Sequence, residues 1–203
     1  MRTRDDPRDF RARQRVIREE AILSAASELI AKVGYDAMST DDVAARVGIS
    51  KRTLYDHFPS KELLAVRVVT SGMEKTMRAF ETVDPSRPAI DRLTEALGVA
   101  VRHRLSLWGW GQPMPRTTLE RHDSYQRLRR QAGAIVSAWL DEGKQQGSIA
   151  RDLPTPLLAR LLLQWFSTDL SGVVQMSGLS EAGAADAIVR IMLGGMLTAR
   201  PQK

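Results

Sequence analysis

The strongest constraint on this chain is a dense run of helix starts and stops between Gly34 and Ser60. Arg13 to Val33 places Ile22, Ala26, Leu29, Ile30 and Val33 on one helical face. Gly34 follows, where a left-handed C-terminal cap belongs. Ser39-Thr40-Asp41-Asp42 predicts a capping box, with Ser39 accepting from the Asp42 amide while Asp42 reaches back. A short helix then runs to Val47 and Gly48 stops it, leaving Ile49 as a buried spacer. Ser50 caps the next helix, which ends before Pro59 because a residue ahead of proline avoids the helical region. Ser60 caps a long helix from Lys61 to Thr82, with Leu64, Val68, Met73, Met77 and Phe80 as its inner stripe. A chain punctuated this way is built from helices.

The remainder agrees. Asp84-Pro85-Ser86-Arg87-Pro88 reads as a linker. Helices are expected over Ala89–Leu107, Thr117–Gln146 (closed by Gly147), Pro154–Ser177 and, capped by Ser180, onward to Ala199. Trp108 to Pro115 is a Gly/Pro-rich irregular piece. No stretch alternates like a strand and no fixed period repeats. The fold class expected is all-α.

At 203 residues with 43% apolar content, the chain can bury a substantial core. It has no cysteine, which removes disulfides, thiolate metal sites and cysteine nucleophiles and fits a reducing cytoplasm. Arg and Asp alternate at the N-terminus with no signal-peptide core. The longest apolar stretch, Leu157 to Val174, is broken by Arg160, Gln164 and Asp169, so no membrane span is expected. His57, His103 and His122 are too scattered for a metal site. No nucleophile elbow, phosphate loop or paired carboxylates on one helix face appear, so no enzyme activity and no cofactor are expected.

Thirty basic residues face 24 acidic ones, a net charge of +6. The excess is uneven. Residues 1–61 hold 12 Lys/Arg and 10 Asp/Glu, a net of +2, whereas 102–130 hold seven Arg against Glu120 and Asp123, a net of +5. A nucleic-acid contact in the first segment must rest on where its charges stand. The start, RTRDDPRDFRARQR, reads as a flexible, self-neutralising arm over residues 1–15, with a minor-groove arm as the alternative.

Between Val43 and Ser50, Ala44 allows two helices to approach and Gly48 supplies the positive φ of a helix-turn-helix. Val43, Val47, Ile49 and Leu54 plug its core. The second helix carries Lys51, Arg52, Thr53, Tyr55 and His57 outward, as a helix lying in a DNA groove must. From the turn alone, a solvated helical hairpin fits equally well.

Residues 18–64 resemble the DNA-binding domain of the tetracycline-repressor (TetR) family. The resemblance is carried by Ile22-Leu23-x-Ala25-Ala26-x-x-Leu29, Gly34-Tyr35, Val43-Ala44-x-x-x-Gly48-Ile49-Ser50 and Thr53-Leu54-Tyr55-x-His57-Phe58-x-x-Lys61. It implies an N-terminal three-helix domain over residues 16–60 and a helical ligand-binding and dimerisation domain over 61–203. It also implies roles. Thr40 would bond a phosphate through its hydroxyl and amide, and Lys51, Arg52 and Thr53 would face base edges. Tyr55, His57 and Lys61 would hold the DNA backbone. Asp41 stands where some relatives carry a basic residue; a carboxylate cannot pair a phosphate, so Asp41 is not expected as a main contact.

Beyond residue 66 the resemblance is architectural. Leu157, Leu158, Leu161, Leu162, Leu163, Trp165 and Phe166 give a helix apolar on more than one face, suited to a four-helix interface between two subunits. Trp108, Tyr125 and Trp165 are the expected ligand contacts, for a mostly apolar, partly aromatic ligand; half or more of the aromatics are plain core. Arg102, Arg104, Arg121 and Arg129 either receive an anion or coat the surface, the second reading being preferred. The function expected is a dimeric repressor on a palindromic double-stranded operator. The resemblance implies release when a ligand swings the long fourth helix. The alternative is a constitutive or architectural DNA-binding dimer without a ligand.

Overall fold

A computed structural model of the chain describes residues 7–108, 114–166, 168 and 171–197. Among these residues the helices are α1 (Pro7–Ala37), α2 (Thr40–Val47), α3 (Lys51–His57), α4 (Lys61–Glu81) and α5 (Ala89–Trp108). They continue with α6 (Arg116–Leu119), α7 (Asp123–Gln145), α8 (Thr155–Trp165), α9 (Ser171–Ser177) and α10 (Glu181–Gly194). The described residues contain no helix long and apolar enough to cross a membrane.

The expected signals set most boundaries. Ser50 accepts from the Thr53 amide at 3.0 Å and Ser60 from the Leu63 amide at 3.1 Å, each satisfying an amide that its helix cannot. Gly48 closes α2 at φ 74°, its amide reaching back to the Ala44 and Ala45 carbonyls. Other details differ. Ser39 caps α2 through the Asp41 amide at 3.1 Å, not the Asp42 amide, because both are orphan donors of the first turn and Asp41 lies nearer. Gly34 has φ 81° and ψ 163°, a kink after which one more turn reaches Ala37. Val33 stays 47% exposed and leaves the inner face to Ile22, Ala26 and Ile30.

Four expectations are corrected more substantially. The segment read as a flexible arm over 1–15 is helical from Pro7. Its Arg, Ala and Gln are good helix formers, and Asp9 and Arg13 stand four apart with opposite charge. The helix expected over 117–146 breaks at Glu120–His122, His122 adopting an extended φ/ψ of −101°/123° at the start of α7. The helix expected to reach Ser177 ends at Trp165. There Arg104 donates to the Thr168 carbonyl at 2.8 Å, a tertiary bond that takes an acceptor a continuing helix would use. The last helix ends at Gly194 rather than Ala199. Past it, the Ala150 amide donates to the Met196 carbonyl at 2.9 Å, forming an isolated antiparallel bridge between Ile149 and Leu197.

Three clusters of buried side chains hold the helices together. The first gathers Ile22, Met38, Val43, Leu54 and Leu64 from α1–α4, and adds Leu119 and Tyr125 from the α6–α7 region. The second joins α5, α7, α8 and α10 through Leu97, Val136, Leu140, Leu162 and Met192, with Ile149 at its edge. The third, Met77, Phe80, Ala96, Ala100 and Ala132, bridges α4, α5 and α7. Burying each large aliphatic side chain contributes roughly 1.5–3 kcal/mol. Leu162, read from the sequence as part of a subunit interface, is 1% exposed and belongs to the second cluster. Its neighbours one residue back and five back, Leu161 and Leu157, are 53% and 50% exposed.

A candidate nucleic-acid interface and an adjoining cavity

Helix α3 is anchored by two side chains. Leu54 is fully buried and Phe58 nearly so, which fixes the rotation of the helix and turns the intervening residues away from the core. Lys51, Arg52 and Tyr55 are exposed, while Thr53 and His57 are half-buried. The Ala44 carbonyl accepts the Ile49 amide at 3.0 Å, so the α2–α3 turn is closed by backbone bonds.

The cations on this face are not equivalent. Lys51 Nζ lies 2.8 Å from Asp41 Oδ1, and the hydrogen bond to that carboxylate raises the Lys51 pKa above its ordinary value. Arg46 pairs with Glu28. Lys61 donates to the Asp36 carbonyl at 2.9 Å and stands 4.8 Å over the Tyr35 ring, tying the start of α4 to the corner after the Gly34 kink. Arg52 makes no hydrogen bond or ion pair with any described residue. Its side chain is exposed.

The polar side chains form two separate pairs. Thr40, buried at the first position of α2, shares a 3.3 Å hydrogen bond with the Tyr55 hydroxyl. Thr53 Oγ1 lies 2.8 Å from Ser50 Oγ. His57 Nδ1 is buried without a hydrogen-bond partner among the described residues, leaving Nε2 for an outside acceptor. Five of the expected contacts, Lys51, Arg52, Thr53, Tyr55 and His57, share α3, Thr40 is tied to it through Tyr55, and Lys61 opens α4. Sequence reasoning missed that Asp41 restrains Lys51 and that Tyr35 seats Lys61. The i-to-i+10 spacing across a helix-turn-helix was the available signal for the first.

A cavity of about 150 Å³ opens beside this unit, between α4, α5, α6, α7 and α8. Met73, Met77, Phe80 and Leu163 form its apolar wall; His103, Arg104, Arg116 and Arg129 supply polar groups. Thr76 and His103 Nδ1 are 2.7 Å apart. Burial, and secondarily the Lys75 charge, holds the His103 imidazole below its ordinary pKa, so it stays neutral at pH 7. Of the expected ligand contacts, Tyr125 lines the cavity. Trp165 packs against the second cluster and is not among the lining residues, because α8 turns that face towards the core. Trp108 ends α5, and its side chain lies outside the described residues. Arg104 and Arg129 reach the cavity, which corrects their reading as surface coating, and Arg116 joins them. No group of His, Asp or Glu among the described residues is arranged to hold a metal.

A short helix anchored by Leu54 and Phe58 after a glycine turn, with Lys51, Arg52 and Tyr55 exposed, defines a class: helix-turn-helix DNA-binding proteins. Residues 22–68 match the family model for bacterial regulatory proteins of the tetR family. Over 186 residues the chain is 25% identical to the HTH-type transcriptional regulator UidR of Escherichia coli strain K12, covering 88% of this chain and 92% of that one. The fold is similar to the fatty acid degradation regulator FadR from Bacillus halodurans, with TM-score 0.70, 16% identity and coverage of 95% and 98%. It is also similar to the transcriptional regulator FadR from Bacillus subtilis, solved in complex with stearoyl-CoA, with TM-score 0.67, 18% identity and coverage of 87% and 98%. Residues 22–68 thus carry the helix-turn-helix DNA-binding domain of the tetR family.

Proposed function

We propose that this protein is a cytoplasmic repressor that binds a palindromic operator as a homodimer and leaves it when a small apolar or aromatic ligand fills the cavity. The DNA-binding part is taken to run through about residue 60, and the ligand-binding and dimerisation part from Lys61 onward. In this reading Arg52 pairs with O6 and N7 of a guanine through its planar fork. Lys51 and Thr53 flank it at the base edges. Thr40, Tyr55, His57 and Lys61 hold phosphates and fix the register.

The observation that carries the reading is a shared wall. Leu119 and Tyr125 line the cavity and also belong to the cluster that supports the DNA-binding helices. A second tie lies alongside, where His122 Nε2 and Glu62 Oε1 are 2.8 Å apart, joining the start of α7 to the first turn of α4. A ligand that displaces Leu119 or Tyr125 therefore acts on the packing beneath α4. This coupling favours ligand control over a constitutive DNA-binding dimer, which has no use for such a cavity. The stearoyl-CoA complex of a structural relative supports ligand binding in this fold.

Operator binding tests the proposal. Palindromic sequences upstream of the gene and its neighbours are assayed by fluorescence anisotropy with the full chain. Tight, salt-dependent binding to one palindrome over its scrambled version is expected. Equal binding to both sequences sinks the specific-repressor reading.

A further inference from the structure

We propose that the cavity takes a small aromatic carboxylic acid as its anion, the ring among Met77, Phe80 and Leu163 and the carboxylate at Arg129 and Arg116. The inference rests on the reading of this cavity as the ligand site and names the ligand's chemistry. Size is the first argument. A mostly apolar cavity of about 150 Å³ is large enough to hold one benzene-sized ring. Charge is the second. Three arginines line the cavity and, among the described residues, no carboxylate does.

The arginines are also unevenly satisfied. Arg104 donates to the Thr168 carbonyl and Arg116 is bonded by Glu120 at 2.7 Å and by Gln164. Arg129 is different: its Nη1 is buried with no hydrogen bond, and its nearest carboxylate oxygen, on Glu120, is 3.7 Å away. A buried guanidinium nitrogen left in this state is costly, and an incoming carboxylate satisfies it with a short charge-assisted bond. Glu120 holds Arg116 and Arg129 as one cluster, so both forks stand on the same α6–α7 wall. Arg129 lies 5.9 Å over the Tyr125 ring, which orients its plane. A neutral His103 adds no competing charge at the opposite wall.

The test compares benzoate with benzamide, which has the same ring and size without the charge, by isothermal titration calorimetry and thermal shift on the full chain. Benzoate is expected to bind about tenfold or more tightly than benzamide and to raise the melting temperature with concentration. Arg129→Gln is expected to erase that preference while benzamide binding changes little. If Arg129→Gln does not fold, the benzoate–benzamide ratio of the unmodified protein decides alone. Equal binding of the two, binding of neither, or an undiminished preference in folded Arg129→Gln overturns the inference. Operator displacement is measured separately. Release by some other compound without any preference for benzoate overturns this inference and leaves the regulator reading standing. Benzoate binding without release supports the inference and counts against ligand control.

Discussion

Arg52 and Lys51 are adjacent in sequence, but only Arg52 is uncommitted in the free protein. Arg52→Ala should therefore cost about 1–3 kcal/mol on the specific operator and relax preference at one position per half-site. Equal losses on operator and scrambled duplexes would make it a backbone contact instead. Lys51 must first be released from Asp41. Asp41→Ala removes that competitor, so affinity for both duplexes should rise and the salt slope should steepen by about one unit. An unchanged slope in anisotropy titrations at several salt concentrations would show that Asp41 does not restrain Lys51. His103 gives a pH prediction of definite sign. Its folded pKa lies below the ordinary 6.5, so the folded form resists protonation more than the unfolded one. Its contribution is complete above pH 6.5 and is lost as pH falls through the folded value. His103→Gln should flatten the decline of urea-unfolding stability as the pH falls below 6.5. An identical decline in the variant would assign it to other groups.

At the scale of elements, the α2–α3 turn depends on one backbone conformation. Gly48 has φ 74°, and a Cβ there meets nothing within 4 Å, so the cost of Gly48→Ala is conformational and not steric. It should destabilise the protein by about 1–2 kcal/mol in urea unfolding; a neutral result would mean that the turn relaxes. Such local features were legible in the sequence because caps and glycines act within a few residues of themselves. Gly48, Ser50, Pro59 and Ser60 all end or start helices as read. The ends of α6 and α8 were not legible, because tertiary contacts set them. Arg104 reaches across 64 residues to Thr168, and His122 meets Glu62 60 residues away. No local pattern encodes those meetings. The placement of the α3 candidates, Lys51 to His57, was visible for the same reason as the caps: they sit on one short helix with Leu54 and Phe58 as its buried anchors. The cavity was only partly legible, since its walls come from five helices distant in sequence; aromatic content pointed to Tyr125, which lines it, and to Trp165, which does not, while Phe80 went unread as a lining residue.

For the whole molecule, the exposed apolar side chains bear on assembly. Leu157 and Leu161 on α8 and Ile191 on α10 are 50%, 53% and 66% exposed. A dimer interface of the expected size buries about 1,600 Å² or more in total, and these side chains are the available apolar centre. Leu161→Asp and Ile191→Asp should each shift the protein to monomer in sedimentation and weaken operator binding with it. Leu162→Asp would not test the interface, because Leu162 is core and a charge there would disrupt the second cluster. An unmodified protein that sediments as a monomer at micromolar concentration would refute the dimer.

The double membership of Leu119 and Tyr125 constrains how this lineage can acquire a new effector. Substitutions at those two positions reshape the pocket but also loosen the support of α4, so each change of taste risks unseating the protein from its promoter. Phe80, Ala132 and Leu163 carry no such penalty towards the DNA-binding helices beyond their own packing. A directed-evolution library aimed at altered inducer choice should yield working sensors when diversity is placed at those three positions. Placed at 119 and 125, it should yield mostly proteins that no longer repress.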